Sequence, residues 1–121
     1  PPPPKVASLN GPPSVKALRV GEHSDKVRLV MDLTRPTTFS ADLDNAEKLL
    51  VIELMGAKWD AVKPKSFSGS VLKSYSVEPI NDGKGSRVMI TLNKATSILK
   101  ELTAAPDGYS RSHRIILDLK K

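Results

Sequence analysis

Three acidic residues, Asp32, Glu53 and Asp118, stand at equivalent places near the ends of short apolar segments. Two carboxylates held close together can act as general acid and general base, which is the chemistry of glycosidases. Arginines lie four or more residues from these acids, for example Arg28 and Arg114, and pairing of opposite charges between strands is the simpler use. We therefore predict that none of these carboxylates is catalytic.

Other catalytic arrangements are missing from the sequence. The only histidines, His23 and His113, fall near predicted turns, and neither zinc-binding spacing, H-E-x-x-H or H-x-x-E-H, occurs. Because there is no cysteine, thiol catalysis and cysteine-bound metals are excluded. The turn 83–85 lacks the rest of a phosphate loop, and no G-x-S-x-G motif is present. The chain is therefore predicted to be non-enzymatic, with no cofactor and no bound metal.

The charge of the chain is strongly uneven. Its 121 residues carry 19 Lys and Arg against 13 Asp and Glu, a formal net charge of +6. Residues 1–60 balance eight basic against eight acidic side chains, whereas residues 61–121 hold eleven against five, so the whole excess lies in the second half. Such a distribution favours an anionic partner: a nucleic acid, lipid headgroups or a polymer bearing carboxylates.

The aromatic residues argue against the first of these partners. They are scattered along the chain, whereas proteins that bind single-stranded nucleic acid cluster them to stack bases. Trp59 lies in the basic segment 58–65, where it could stack on a sugar or a base, or could cover one end of the fold. There is also no run of about 18 apolar residues. We predict neither nucleic-acid binding nor membrane insertion.

The candidate acidic residues and arginines named above must lie on β-strands, because apolar residues recur with a period of two. Residues 27, 29, 31 and 33 are apolar, and the same alternation returns around residues 52, 90 and 117. Glycine, proline, asparagine and aspartate separate these segments. The predicted strands are 15–20, 26–33, 37–43, 48–54, 70–78, 86–92, 96–103 and 113–119.

The sequence also repeats itself. Residues 28–33 align with 87–92 at an offset of 59, and residues 50–54 align with 115–119 at an offset of 65. Two copies of a four-strand unit are the simplest explanation, with one copy forming a sheet and the other covering its apolar face. The predicted fold is therefore all-β: a β-sandwich of two similar four-stranded sheets spanning residues 14–121. The proline-rich residues 1–13 are predicted to form a linker or disordered arm.

The alternation assigns a direction to each strand residue. If the apolar set points inward, the outer set mixes charge with apolar side chains: Arg28, Val30, Asp32, Leu49, Val51, Glu53, Arg87, Met89, Thr91, Arg114, Ile116 and Asp118. Exposed apolar side chains surrounded by charge are typical of a binding surface. The alternative is that loops or the proline arm cover them and that the charged residues form ordinary cross-strand salt bridges.

Two of these strands resemble the AMIN domain. In that family, a strand of the form R-hydrophobic-V-hydrophobic-D-L precedes a short turn with proline, as in residues 28–33 followed by Arg35-Pro36. A second strand of the form R-L-V-I-D-L follows an N-P turn, and residues 114–119 fit it well. The earlier copy departs from this pattern, with Leu49 in place of arginine and Glu53 in place of aspartate. The resemblance extends over residues 14–119.

The resemblance implies a function. AMIN domains are periplasmic β-sandwiches of bacterial envelope proteins that target N-acetylmuramoyl-L-alanine amidases and type IV pilus secretins to peptidoglycan, often at the septum, without hydrolysing it. The expected ligand is thus peptidoglycan, whose stem peptides carry free carboxylates, and envelope or divisome proteins are further possible partners. The candidate binding residues are Arg28, Asp32, Trp59, Arg87, Arg114 and Asp118. Replacing Arg28 and Arg114 by alanine is expected to weaken wall binding with little loss of stability.

A second class of function remains open. The same outer surface, or an unpaired edge strand, could instead dock another protein of an envelope assembly. Ionic strength distinguishes the two partly, because binding of carboxylates by exposed arginines should weaken steeply with salt.

Overall fold

Nine β-strands form the regular structure of the part of the chain that is described, residues 13–61, 70–106 and 112–121 of a computed structural model. They are β1 (Ser14–Glu22), β2 (Lys26–Leu33), β3 (Phe39–Asp44), β4 (Leu49–Leu54), β5 (Lys58–Trp59), β6 (Leu72–Ile80), β7 (Gly85–Leu92), β8 (Ile98–Ala104) and β9 (His113–Lys120). No helix occurs in these ranges, and the all-β prediction is confirmed. Apart from Pro13, the predicted linker lies outside the described residues, as do residues 62–65 of the basic segment.

The eight predicted strands correspond to β1–β4 and β6–β9, and every end agrees within two residues. The short strand β5 was not predicted, because two residues are too few to show a period. It pairs parallel to β1, with Ser14 opposite Lys58. The amide of Lys58 donates to the carbonyl of Pro13 at 3.0 Å, and the amide of Asp60 donates to the carbonyl of Val15 at 2.9 Å. The structure therefore corrects one predicted four-stranded sheet to a sheet of five strands.

The strands form two sheets arranged as a sandwich. The five-stranded sheet has the order β5-β1-β2-β9-β8, and the four-stranded sheet has the order β3-β4-β7-β6. All neighbours except β1 and β5 are antiparallel. Each sheet is thus centred on a pair of strands from different halves of the chain, β2 with β9 and β4 with β7.

This pairing corrects the predicted assignment of one repeat to each sheet. The hairpin β1–β2 of the first repeat shares its sheet with β8–β9 of the second, and the hairpin β3–β4 shares its sheet with β6–β7. Within each repeat the chain passes from one sheet to the other, along residues 34–38 and 93–97. This sharing of sheets between the repeats is favourable because a two-stranded hairpin has only marginal stability by itself. Pairing with a hairpin of the other repeat covers one of its edges as well as its apolar face.

Two hydrogen bonds made by the side chain of Asn45 hold one of these connections between the sheets in place. Asn45, in the turn between β3 and β4, donates from Nδ2 to the carbonyl of Thr96 at 2.9 Å and accepts from the amide of Thr96 at 3.0 Å. These two bonds tie a turn of the four-stranded sheet to the connection that leads into β8 of the other sheet. Thr96 is itself buried, and its hydroxyl donates to the carbonyl of Lys120 at the end of β9.

The core lies between the sheets and contains all the predicted inward residues, together with Val15, Ala57, Val71 and Leu72. All thirteen predicted inward residues are at most 3% exposed. They are Val27, Leu29, Met31, Leu33, Leu50, Ile52, Leu54, Val88, Ile90, Leu92, Ile115, Leu117 and Leu119. Since full burial of one such side chain stabilises the fold by roughly 1.5–3 kcal/mol, this layer holds both sheets together and places the intervening residues on the outer surfaces.

Candidate functional site

The outer surface of the five-stranded sheet is predominantly basic. We define the basic face as the outward residues that the strand register assigns on β1, β2, β9 and β8. Its charged members are six cations, Arg19, Lys26, Arg28, Lys100, Arg114 and Lys120, and two anions, Asp32 and Asp118. The net charge of these residues is 6 − 2 = +4. At the centre, half-buried Ile116 lies beside Val30 and Leu102 on the neighbouring strands.

The outer surface of the four-stranded sheet has the opposite sign. We define the acidic face by the outward residues of β3, β4, β7 and β6. Its charged members are Asp42, Asp44, Glu53, Glu78 and Arg87, so their net charge is 1 − 4 = −3. Half-buried Val51 and Met89 lie opposite each other at its centre, with Leu49 further along β4. Each outer surface thus has its own apolar centre, and the two surfaces differ in the sign of their charge.

Ion pairs organise the basic face. Arg28 makes two hydrogen bonds with Asp118, Nε to Oδ1 at 2.8 Å and Nη2 to Oδ2 at 3.0 Å. Lys26 Nζ lies 3.8 Å from the same carboxylate, whose side chain is only 2% exposed. Arg19 makes a similar pair with Asp32, at 2.7 and 2.9 Å. The hydrogen bonds from Arg28 lower the pKa of Asp118 below its ordinary value and outweigh the opposing effect of burial, so Asp118 is charged at neutral pH.

The exposed cations of this face that form no ion pair with the described residues lie on β8 and β9. Lys100 and Lys120 are exposed, and neither forms an ion pair with the residues described. Arg114 lies opposite Asp32 in the strand register and donates from Nη2 to the carbonyl of Ala105 at 3.0 Å. The basic face can therefore attract an anion through Lys100 and Lys120 without breaking an internal pair.

On the acidic face, one arginine holds two carboxylates. Arg87 donates from Nη1 to Glu78 at 2.7 Å and from Nε to Glu53 at 2.8 Å. Asp44 accepts from the amides of the following turn at 3.0 and 3.1 Å. Asp42 is exposed and makes no ion pair with the described residues. The carboxylates consequently outnumber their single cationic partner.

The candidate binding residues from the sequence fall at three separate places. Arg28, Asp32, Arg114 and Asp118 share the basic face, and Arg87 lies on the acidic face. The sixth, Trp59, is in β5 at the sheet edge, where its ring meets that of Tyr75 at a centroid distance of 6.2 Å. These six residues therefore form no single site.

The cavity beside Trp59 is a separate feature. It has a volume of about 510 Å³ and is bordered by Lys58, Val77, Glu78 and Pro79. The indole Nε1 is buried and has no hydrogen-bond acceptor among the described residues. Because the ring packs against Tyr75 and the hydrophobic core, Trp59 covers the open side between β1 and β6.

The contrast between the two faces was not found from the sequence. The period of two assigns the outward residues correctly but gives them as one set, because it does not show which hairpins share a sheet. Summed by repeat, the charges mix residues of both faces. The difference in net charge between the faces appears only when β8 and β9 are grouped with β1 and β2.

The described ranges contain neither a metal-binding cluster nor a membrane-spanning helix. No group of three or more His, Asp or Glu side chains there is arranged to hold a metal ion. His23 is exposed, and His113 borders a cavity of about 320 Å³ next to Arg114. In the same ranges there is no helix long and apolar enough to cross a membrane.

No family model matches the sequence, and no curated protein matches it at a significant level.

Proposed function

We propose that this chain is a non-catalytic targeting module of the bacterial cell envelope, similar to an AMIN domain, that binds peptidoglycan through its basic face. On this proposal it is periplasmic and localises a larger envelope protein, such as a cell-wall amidase or a secretin. The single observation that carries the proposal is a solvent-facing sheet surface of net charge +4 around an apolar centre. The strand motifs of residues 28–33 and 114–119 supply the resemblance.

The chemistry of the basic face suits a polymer of sugars and carboxylated peptides. Lys100 and Lys120 are exposed cations that can meet the free carboxylates of stem peptides. Val30 and Ile116 present half-buried apolar surface, against which lactyl and methyl groups can pack. The arginines of the internal pairs also retain N–H groups, because a guanidinium has five and Arg28 uses two of them on Asp118.

Docking of another protein is the alternative, and the edge strands argue against one form of it. The edge strand β5 has only two residues, and β3 carries Asp42 and Asp44. A bulge interrupts the pairing of β8, and β6 has both a bulge and Pro79. Short strands, charges, bulges and proline all hinder the addition of a further strand. Docking would therefore use an outer face.

The deciding experiment is co-sedimentation of the purified chain with intact peptidoglycan sacculi at low and moderate salt, with a neutral protein as control. We expect the chain to pellet at low salt and to be largely released at moderate salt, because exposed ion pairs are screened. If the chain stays in solution at low salt, the proposal is wrong. Pelleting that does not change with salt would contradict the role of the basic face.

A further inference from the structure

We infer that the acidic face of one copy of this chain docks on the basic face of a second copy, so that chains associate head to tail. This inference goes beyond the proposed binding of peptidoglycan and does not depend on it. It rests on the shape, the apolar centres and the charges of the two faces.

The two faces have corresponding architectures. The repeat relates the strand row β1-β2-β9-β8 to the row β6-β7-β4-β3, so both faces have four antiparallel strands in matching order. Each has an apolar cross-strand pair at its centre, Val30 with Ile116 on the basic face and Met89 with Val51 on the acidic face. Two surfaces of the same width can therefore lie on each other with their apolar centres in contact.

Charge selects which faces meet. Two basic faces repel each other, as do two acidic faces, whereas a face of +4 and a face of −3 attract. The exposed side chains without an internal ion pair are of opposite sign, Lys100 and Lys120 on one face and Asp42 and Asp44 on the other. The contact is thus heterologous, and a contact of this kind adds copies in an open row unless the rotation closes a ring.

The size of the faces sets the strength of the contact. Four strands spaced about 4.8 Å apart and about seven residues long cover roughly 450 Å². Two such faces bury about 900 Å² together, which is below the roughly 1,200–2,000 Å² of stable complexes. We therefore expect weak association, visible at high protein concentration or where copies are held near one another.

Head-to-tail association is compatible with the proposed wall binding. A copy whose basic face lies on an anionic polymer leaves its acidic face toward solvent. That acidic face can accept the basic face of the next copy. Sedimentation velocity without sacculi tests the association by itself, so its result is independent of the co-sedimentation result.

The test uses two variants that each disable one face. Lys100→Glu with Lys120→Glu reverses exposed cations of the basic face, and Asp42→Lys with Asp44→Asn removes charge from the acidic face. We expect the unmodified chain to sediment faster as its concentration rises at low salt, and this increase to disappear at moderate salt. Each variant alone should remain monomeric. An equimolar mixture should form dimers and nothing larger, because only one complementary pair of faces is left.

The control is Lys73→Glu with Lys84→Glu, which lowers the net charge by the same amount as the basic-face variant. Both lysines are exposed, and the strand register assigns neither an outward place on a face, since Lys73 is at the bulge of β6 and Lys84 is in the turn before β7. It should associate at least as well as the unmodified chain. Circular dichroism and the thermal midpoint confirm that every variant is folded. The inference is overturned if the unmodified chain is monomeric throughout, if either variant associates alone, or if the mixture does not associate.

Discussion

Arg28 on β2 and Asp118 on β9 lie directly opposite each other, although 90 residues separate them in the chain, and they share two hydrogen bonds of 2.8 and 3.0 Å. Arg87 and Glu53 occupy the equivalent positions on β7 and β4, and they too are joined, at 2.8 Å. Each pair links the two repeats at the centre of one sheet. The arginine of the strand motif therefore has a structural role in both sheets.

The first prediction concerns the stability that Arg28 supplies. The sequence alone predicted little loss on replacing this residue, but the carboxylate of Asp118 is only 2% exposed. Arg28→Ala leaves that charge with Lys26 at 3.8 Å as its nearest cation, so we expect a loss of about 1–3 kcal/mol in the free energy of unfolding. Urea denaturation measures it. Arg19→Ala is the control, and its exposed pair should contribute less than about 1 kcal/mol.

The second prediction follows from the lowered pKa of Asp118. A carboxyl whose pKa is lower in the folded than in the unfolded state stabilises the fold above its unfolded pKa of about 3.9. That contribution is lost as the pH falls through the folded pKa. We expect the difference in unfolding free energy between neutral pH and about pH 3 to be smaller in Arg28→Gln than in the unmodified chain. An unchanged difference would show that another carboxyl dominates the acid response.

The third prediction assigns wall binding to one face. Lys100→Glu with Lys120→Glu should abolish pelleting with sacculi at low salt, because the two exposed cations of the basic face that have no internal ion pair are reversed. Lys73→Glu with Lys84→Glu changes the net charge equally and should retain most of the bound fraction. Equal losses in both variants would indicate that net charge alone causes binding.

The fourth prediction removes Trp59 from the proposed binding surface. Its ring packs on Tyr75 at the sheet edge and belongs to neither outer face. Trp59→Phe should leave pelleting with sacculi unchanged at each salt concentration. A folded variant with a bound fraction reduced several-fold would instead place a ligand contact at β5.

The fifth prediction tests the close approach of β7 to the end of β4. A Cβ on Gly85 would lie 2.6 Å from the carbonyl oxygen of Leu54 and 2.7 Å from that of Met55. Because both atoms are backbone, Gly85→Ala should destabilise the fold by about 1–3 kcal/mol. At Gly21 the nearest atom to such a Cβ is Nε2 of the movable His23 side chain, at 3.4 Å. Gly21→Ala should therefore lower the thermal midpoint less than Gly85→Ala does.

Several features of this protein follow from local sequence. The period of two from Val27 to Leu33 predicted β2 without error, because one face of a strand must be apolar when it covers a core. The choice of a strand for 96–103 was also right, although its propensities allowed a helix. Among the described strands β5 alone was not predicted, since its position depends on hydrogen bonds that the amides of Lys58 and Asp60 donate to the carbonyls of Pro13 and Val15.

The distribution of hairpins and charge between the sheets depended on tertiary structure. Period and repeat determined eight strands, the inward residues and the sandwich, because these follow from side-chain direction within one strand. Neither could show that β2 pairs with β9, since the pairing of strand edges depends on contacts between residues such as Arg28 and Asp118, far apart in the chain. Because β8 and β9 pair with β1 and β2, one outer surface is basic and the other is acidic, a division that the net charge of +6 does not show.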